Sequence, residues 1–109
     1  MLRIALAAAA TAAALLASTL GASALDRHVR IINDTGVEMR EFYASNVGTN
    51  NWEEDILGRQ TLPSGSSVNI NIDDGKGYCM YDFRAVFADG DVLVRKRVNV
   101  CKIGSFRYH

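Results

Sequence analysis

Beyond residue 24 this 109-residue chain has no stretch that repeats apolar residues at helical spacing, and it carries one proline, two cysteines, two histidines and no excess charge of either sign. Each shortage removes a class of function. His28 and His109 stand near the two ends of that part of the chain, so no imidazole is well placed as a general base for a serine or cysteine nucleophile. None of Ser45, Ser64, Ser66, Ser67 or Ser105 sits in a Gly-x-Ser-x-Gly elbow. A zinc site needs three or four ligands at characteristic spacings, and Cys79, Cys101 and the two histidines do not supply them. Eleven basic residues face twelve acidic ones after residue 24. A net charge of −1 gives no electrostatic reason to expect nucleic acid or an anionic membrane as partner.

What is present begins with an export signal. Met1-Leu2-Arg3 supplies a short positive start, Ile4 to Leu20 is an Ala/Leu-rich apolar run, and Ala22-Ser23-Ala24 is the small-x-small pattern cut by signal peptidase. Cleavage between Ala24 and Leu25 is expected, leaving residues 25–109 as a single small domain with no stable membrane insertion. In the periplasm or outside the cell, Cys79 and Cys101 meet an oxidising environment where a disulfide forms and persists. A loop of about twenty residues closed in this way contributes about 3 kcal/mol, a large share for a thin core.

Period-two alternation and turn residues recur through residues 25–109, the pattern of an all-β fold. The expected architecture is a small antiparallel β-sandwich of five to seven strands. Val29, Ile31 and Asn33 share a face of a first strand that ends at Asp34-Thr35-Gly36. Val37 to Ala44 carries apolar groups on both faces. Trp52 to Gly58 reads as one helical turn, capped by Asn51 and closed by Gly58, with Trp52, Ile56 and Leu57 plugging one end of the sandwich. After the Pro63-Ser64-Gly65-Ser66 turn, Val68, Ile70 and Ile72 face inward. Tyr78 to Ala88 is the longest strand, with Cys79, Tyr81, Phe83, Ala85 and Phe87 on its inner face. The tail from Lys102, with Phe106 and Tyr108 alternating, either adds a short edge strand or frays.

Asp89-Gly90 signals a two-residue type I′ hairpin. That turn pairs Phe87 with Val92, Ala85 with Val94, Tyr81 with Val98 and Cys79 with Val100. It also places Lys96 opposite Phe83 and leaves Cys101 one residue out of step with Cys79. Cysteines on opposite faces of adjacent strands cannot be bridged without backbone adjustment, so a bulge is expected between Arg95 and Cys101, in first place close to the cysteine, while one near Lys96 would also let its ammonium escape to water.

Few residues present themselves as a site. Asp82 and Arg84 point to the outer face of their strand, towards Arg95 and Arg97, where cross-strand ion pairs satisfy them. With Trp52 they are the candidate ligand patch. The acidic loops Asp73-Asp74-Gly75 and Asp89-Gly90-Asp91 offer oxygens of the kind calcium uses, but they lie a strand's length apart and act more simply as turns. No cofactor and no metal are expected.

The residues Asn33-x-Thr35-Gly36, Phe42-Tyr43-Ala44-Ser45, Trp52-x-x-Asp55-x-Leu57-Gly58, Leu62-x-x-Gly65 and Cys79-x-Tyr81-Asp82-x-Arg84-Ala85-x-Phe87-x-Asp89-Gly90 through Cys101 together resemble a family of small exported bacterial proteins of unassigned role, seen mainly in Gram-negative species. The resemblance implies export and a recurring pattern that unites the Trp turn, the Tyr-Asp-x-Arg strand and the cysteines. Some members carry an argininosuccinate lyase label. That enzyme is a large helical tetramer with shared active sites, and this chain is neither long nor helical enough, so no catalytic residue is carried over. The expectation is a non-catalytic binding or interaction module that engages a protein or a cell-envelope component. The alternatives are a small secreted enzyme or enzyme inhibitor using Trp52, Asp82 and Arg84, and self-assembly through an exposed sheet edge.

Overall fold

A computed structural model describes residues 25–109. The expected signal segment and the Ala22, Ala24 side of its cleavage site lie outside the described residues. Six strands follow one another: β1 (His28–Asn33), β2 (Met39–Asn46), β3 (Ser67–Asn71), β4 (Met80–Phe87), β5 (Val92–Asn99) and β6 (Ser105–Tyr108). They form two three-stranded sheets, ordered β3-β1-β6 and β2-β4-β5. All pairs are antiparallel except β1 with β6, which run parallel. The tail is therefore a strand, and it brings Phe106 and Tyr108 against the core.

The core lies between the sheets. On β4 the alternation is strict: Tyr81, Phe83, Ala85 and Phe87 are buried. Val29 and Ile31 of β1 and Ile70 of β3 meet them from the other sheet. Aromatic rings pack edge-on, with Phe42 5.2 Å from Phe83 and Phe106 5.2 Å from Phe83 between centroids, the geometry their quadrupoles favour. In β2 a register shift between Met39 and Glu41 turns both Met39 and Phe42 inward. Simple alternation put those two residues on opposite faces. The bulge leaves Glu41 and Tyr43 half-buried on the outer face.

Asn33 is fully buried and joins the sheets at one end. Its Nδ2 donates to the carbonyls of Val37 and Leu62, both at 2.8 Å, and its Oδ1 accepts from the Thr35 hydroxyl at 2.7 Å. The loop before β3 thereby becomes a strap along β2. Met39 and Leu62 exchange backbone hydrogen bonds at 2.9 Å, and the Ile56 N–H donates to the Phe42 carbonyl at 2.8 Å.

Trp52 to Gly58 is not a helical turn, and no helix occurs among the described residues. Asp55, rather than Asn51, organises the segment. One Asp55 oxygen accepts from the N–H groups of Phe42 at 2.9 Å and Leu57 at 3.0 Å, tying the segment to β2 instead of letting it coil on itself. Leu57 packs against the core, but Ile56 is exposed and Trp52 lies outside the core cluster. The expected plug is thus reduced to one leucine.

The β4–β5 hairpin also differs from the type I′ expectation. The Gly90 N–H bonds to the Phe87 carbonyl at 3.0 Å and the Phe87 N–H to the Asp91 carbonyl at 2.9 Å, and only Gly90 has positive φ, at 90°. This is a three-residue loop closed by a glycine bulge. The register moves by one, pairing Val86 with Val92 and Ala85 with Leu93 and putting Arg95, not Lys96, opposite Phe83. A second shift between Tyr81 and Phe83 returns the strands to the expected Tyr81–Val98 pair. It falls at Lys96-Arg97, inside the expected interval but at the end away from the cysteine. Cys101 then reaches Cys79 from the turn after β5, with a Cα–Cα distance of 5.3 Å.

Candidate functional site

The bulge in β5 and the loop after β2 face each other across the outer side of the β2-β4-β5 sheet. Between them is a recess of about 290 Å³ whose walls include Ser45, Thr49, Asn50, Trp52, Asp82 and Lys96. β2 and β4 place Ser45 directly beside Asp82 in the strand register. The Ser45 hydroxyl donates to the Asn51 carbonyl at 2.8 Å, which holds the Trp52 loop over the sheet.

Asp82 anchors the opposite wall. Its Oδ1 accepts from the Arg97 N–H at 2.9 Å, and its Oδ2 lies 3.5 Å from the Lys96 ammonium. That ammonium sits 5.6 Å from the Trp52 ring centroid, within cation–π range. A lysine that the expected register placed on the inner face therefore closes the recess on the outer one. Glu53 and Arg97 are the only non-glycine residues with positive φ among those described, at 63° and 57°. Each stands next to a wall residue, Trp52 or Lys96. The left-handed conformation costs about 1 kcal/mol or more per residue, and the Asp82 bond to the Arg97 N–H offsets part of it on one side.

Of the candidate patch, Trp52 and Asp82 share this recess and Arg84 does not line it. Arg84 is one step along the same face, its guanidinium 5.2 Å from the Tyr43 ring centroid. The Tyr43 hydroxyl donates to Glu41; this bond, followed by burial, raises the phenol above its ordinary value. Thr49 and Asn50 carry no individual signal in the sequence, and Ser45 and Lys96, which do attract notice there, do so for other reasons than a shared recess. The polar run from Ser45 to Asn51 was the available signal, but nothing local said that it folds onto the strand face carrying Asp82.

A second polar cluster lies at the end of the sheet. Buried Asn46 donates to Asp74 at 2.7 Å and accepts from the Gly48 N–H and the Thr49 hydroxyl. The Tyr81 hydroxyl accepts from the Asp74 N–H at 3.3 Å. Burial raises the Asp74 carboxyl, but hydrogen bonds from Asn46 and the Lys76 N–H outweigh it and leave the group below its ordinary value. Burial, reinforced by Asp74, pushes the Tyr81 phenol up to about 12. A side chain at Gly48 would run into the Tyr78 hydroxyl, so any other residue there requires the exposed Tyr78 ring to move aside.

The acidic loops act as turns. Asp73 accepts from the Gly75 N–H at 2.9 Å and Asp89 from the Asp91 N–H at 3.0 Å. Among the described residues no three His, Cys, Asp or Glu side chains gather as a metal site, and no helix is long and apolar enough to cross a membrane. Compared with protein-family models, curated proteins and solved structures, the chain matches none of them. The Cys79–Cys101 disulfide is compatible with an oxidising periplasmic or extracellular location.

Proposed function

We propose that the protein is an exported, non-catalytic binding module that holds a polar small ligand or cell-envelope component in the recess beside Trp52, Asp82 and Lys96. The observation that carries this reading is the strained backbone on both sides: Glu53 and Arg97 adopt positive φ where they present Trp52 and Lys96. Strain of this kind persists only where the surrounding structure over-determines it, and it concentrates at ligand sites. The wall chemistry fits the reading. One aromatic face, hydroxyls, amides and an ion pair offer stacking and hydrogen bonds to a polar molecule. Asp82 has both oxygens engaged with β5, which suits a positioning role better than acid–base work. Export rests on the N-terminal segment and agrees with the disulfide, as does the resemblance to small exported bacterial proteins.

Trp52 is the only tryptophan and reports on its own site. Solubilised cell-envelope fractions are expected to shift or quench its emission, and Asn50→Arg, which crowds the mouth of the recess from an exposed position, is expected to abolish the change. Emission that stays constant across all fractions, or changes equally in the variant, refutes the proposal.

A further inference from the structure

The most exposed apolar strand of the molecule is β5, where Val92, Leu93 and Val94 are 45%, 40% and 46% exposed. Among the described residues β5 is the last strand of its sheet and pairs only with β4. Natural edges are blunted with charge and bulges, and the second half of β5 has both in Arg95-Lys96-Arg97 and the irregularity at Arg97. The first half has neither.

Hydrogen-bonding parity fixes how that half can be used. The Phe87 N–H bonds to the Asp91 carbonyl, so by antiparallel alternation the backbone groups of Asp91, Leu93 and Arg95 face β4 and those of Val92 and Val94 face outward. A second antiparallel strand can therefore dock only in registers that place Val92 and Val94 at hydrogen-bonded positions. The sequence Asp91-Val92-Leu93-Val94-Arg95 reads as its own complement in one of these. With Leu93 opposite Leu93 of another copy, each Val92 meets a Val94 and each Asp91 meets an Arg95. Shifting the centre to Val92 or Val94 replaces these pairs by Asp89–Arg95 or Asp91–Arg97, which fall in the turn before β5 or at its irregularity rather than on regular strand. Asp91 and Arg95 are both exposed, and neither side chain has a salt-bridge partner among the described residues.

We infer that the protein forms a two-fold symmetric dimer through antiparallel β5–β5 pairing centred on Leu93, joining two three-stranded sheets into one of six strands. The two Asp91–Arg95 contacts fall at non-hydrogen-bonded positions, where opposing side chains approach most closely. The same contacts set the register and reject a parallel partner. Five residues of edge make a small contact, below roughly 1,200 Å² in total, so association is reversible and in the micromolar range.

The test is sedimentation of the protein recovered from the envelope of a bacterial host expressing the full chain, from low micromolar to sub-millimolar concentration. The wild type is expected to shift reversibly from monomer to dimer. Asp91→Arg and Arg95→Asp, which each oppose like charges, are expected to weaken the dimer about tenfold, and the double exchange Asp91→Arg with Arg95→Asp to restore it. Amide exchange needs no variant: the N–H groups of Val92 and Val94 gain protection as the dimer fills. A chain that stays monomeric throughout, a dimer indifferent to the single exchanges, or Val92 and Val94 amides unprotected in the dimer overturns the inference. None of these measurements involves the recess around Trp52, so each proposal can fail without the other.

Discussion

The two edges of the β2-β4-β5 sheet are treated in opposite ways. Along β2 the strap from Asp55 to Leu62 supplies partners: Phe42 bonds to Asp55 and Ile56, Met39 to Leu62, and Asn33 ties the far end. Along β5 the outward groups of Val92 and Val94 meet no other strand among the described residues. The contrast extends into the interior. The Tyr81 hydroxyl accepts a bond from the Asp74 backbone, whereas the Tyr108 hydroxyl, buried beside the β5 flank, has no partner among the described residues. One side of a small sandwich has been finished by its own loops, and the other left open. An unpaired edge that is also apolar is a place where something is meant to dock or where aggregation must be prevented.

The largest effect expected from disturbing this contrast comes from the open side. β5 has no strap, and the Cys79–Cys101 bridge, spanning 22 residues, closes its far end onto β4. Replacing both cysteines by serine is expected to lower the unfolding free energy by about 3 kcal/mol, read from denaturant midpoints at constant slope. A loss below about 1 kcal/mol would mean that β5 is held by its pairing with β4 and needs no covalent help.

The closed side comes next. Asp55→Ala removes the acceptor for the Phe42 and Leu57 N–H groups and should cost about 2 to 3 kcal/mol. It should also release the strap, exposing the β2 backbone to fast amide exchange at Phe42. If exchange at Phe42 is unchanged, the strap is held by Leu62 and Ile56 alone and the two edges differ less than the hydrogen bonds indicate.

How much of this difference the sequence carried depends on the range of each signal. Alternation along β4 and β3, the inward face of Val29, Ile31 and Asn33, and the cysteine pair are local or nearly local patterns, and the structure has all of them. Asp-Gly suits a two-residue type I′ turn and a three-residue loop with a glycine bulge equally well, because both need glycine at positive φ. The type I′ reading displaces the register by one residue and sets Lys96 opposite Phe83, leaving only a bulge near Lys96 to bring its ammonium to water, whereas the three-residue loop puts Lys96 on the outer face directly. The sequence reads Trp52 both as part of a plug carried by one helical turn and as part of a candidate ligand patch. The outward position of Trp52 is set by Asp55 bonding to a strand thirteen residues earlier, which no local pattern encodes. The parallel pairing of β6 with β1 is of the same kind. Trp52 and Asp82 could thus be named from their residue types, while the recess they share could not be drawn.

Alkali should separate the two tyrosines further. The folded-state value of Tyr81 is raised above the unfolded value near 10 to about 12, first by burial and then by Asp74. The folded chain therefore holds that proton more tightly than the unfolded one. The resulting stability is complete below pH 10 and is lost as pH rises towards 12, by about 2 kcal/mol. Burial raises Tyr108 in the same direction. Tyr81→Phe should flatten the fall of stability between pH 10 and 12, leaving the parts that belong to Tyr43 and Tyr108, whose phenols are also raised. A slope unchanged by Tyr81→Phe would show that the Tyr81 phenol contributes nothing to the alkaline loss.

Tyr108→Phe is the smallest and most discriminating change. The ring makes edge-on contacts with Phe42, Phe87 and Phe106, with centroids 6.4, 6.0 and 5.0 Å away, and phenylalanine keeps all three. What disappears is a buried hydroxyl without a hydrogen-bond partner among the described residues, a condition that costs about 1 to 3 kcal/mol. The variant should therefore be neutral or about 1 kcal/mol more stable at pH 7, the reverse of the usual result for deleting a buried tyrosine hydroxyl. Deleting the Tyr81 hydroxyl, which accepts a hydrogen bond, should destabilise instead. Opposite signs for the same chemical change at two sites would establish that polar groups are matched on the β2 side and left unmatched on the β5 side. Destabilisation by Tyr108→Phe would show that this hydroxyl has a partner in solution, and since Tyr108 and Leu93 line one recess at the β5 edge, the dimer across that edge is where the partner would be sought.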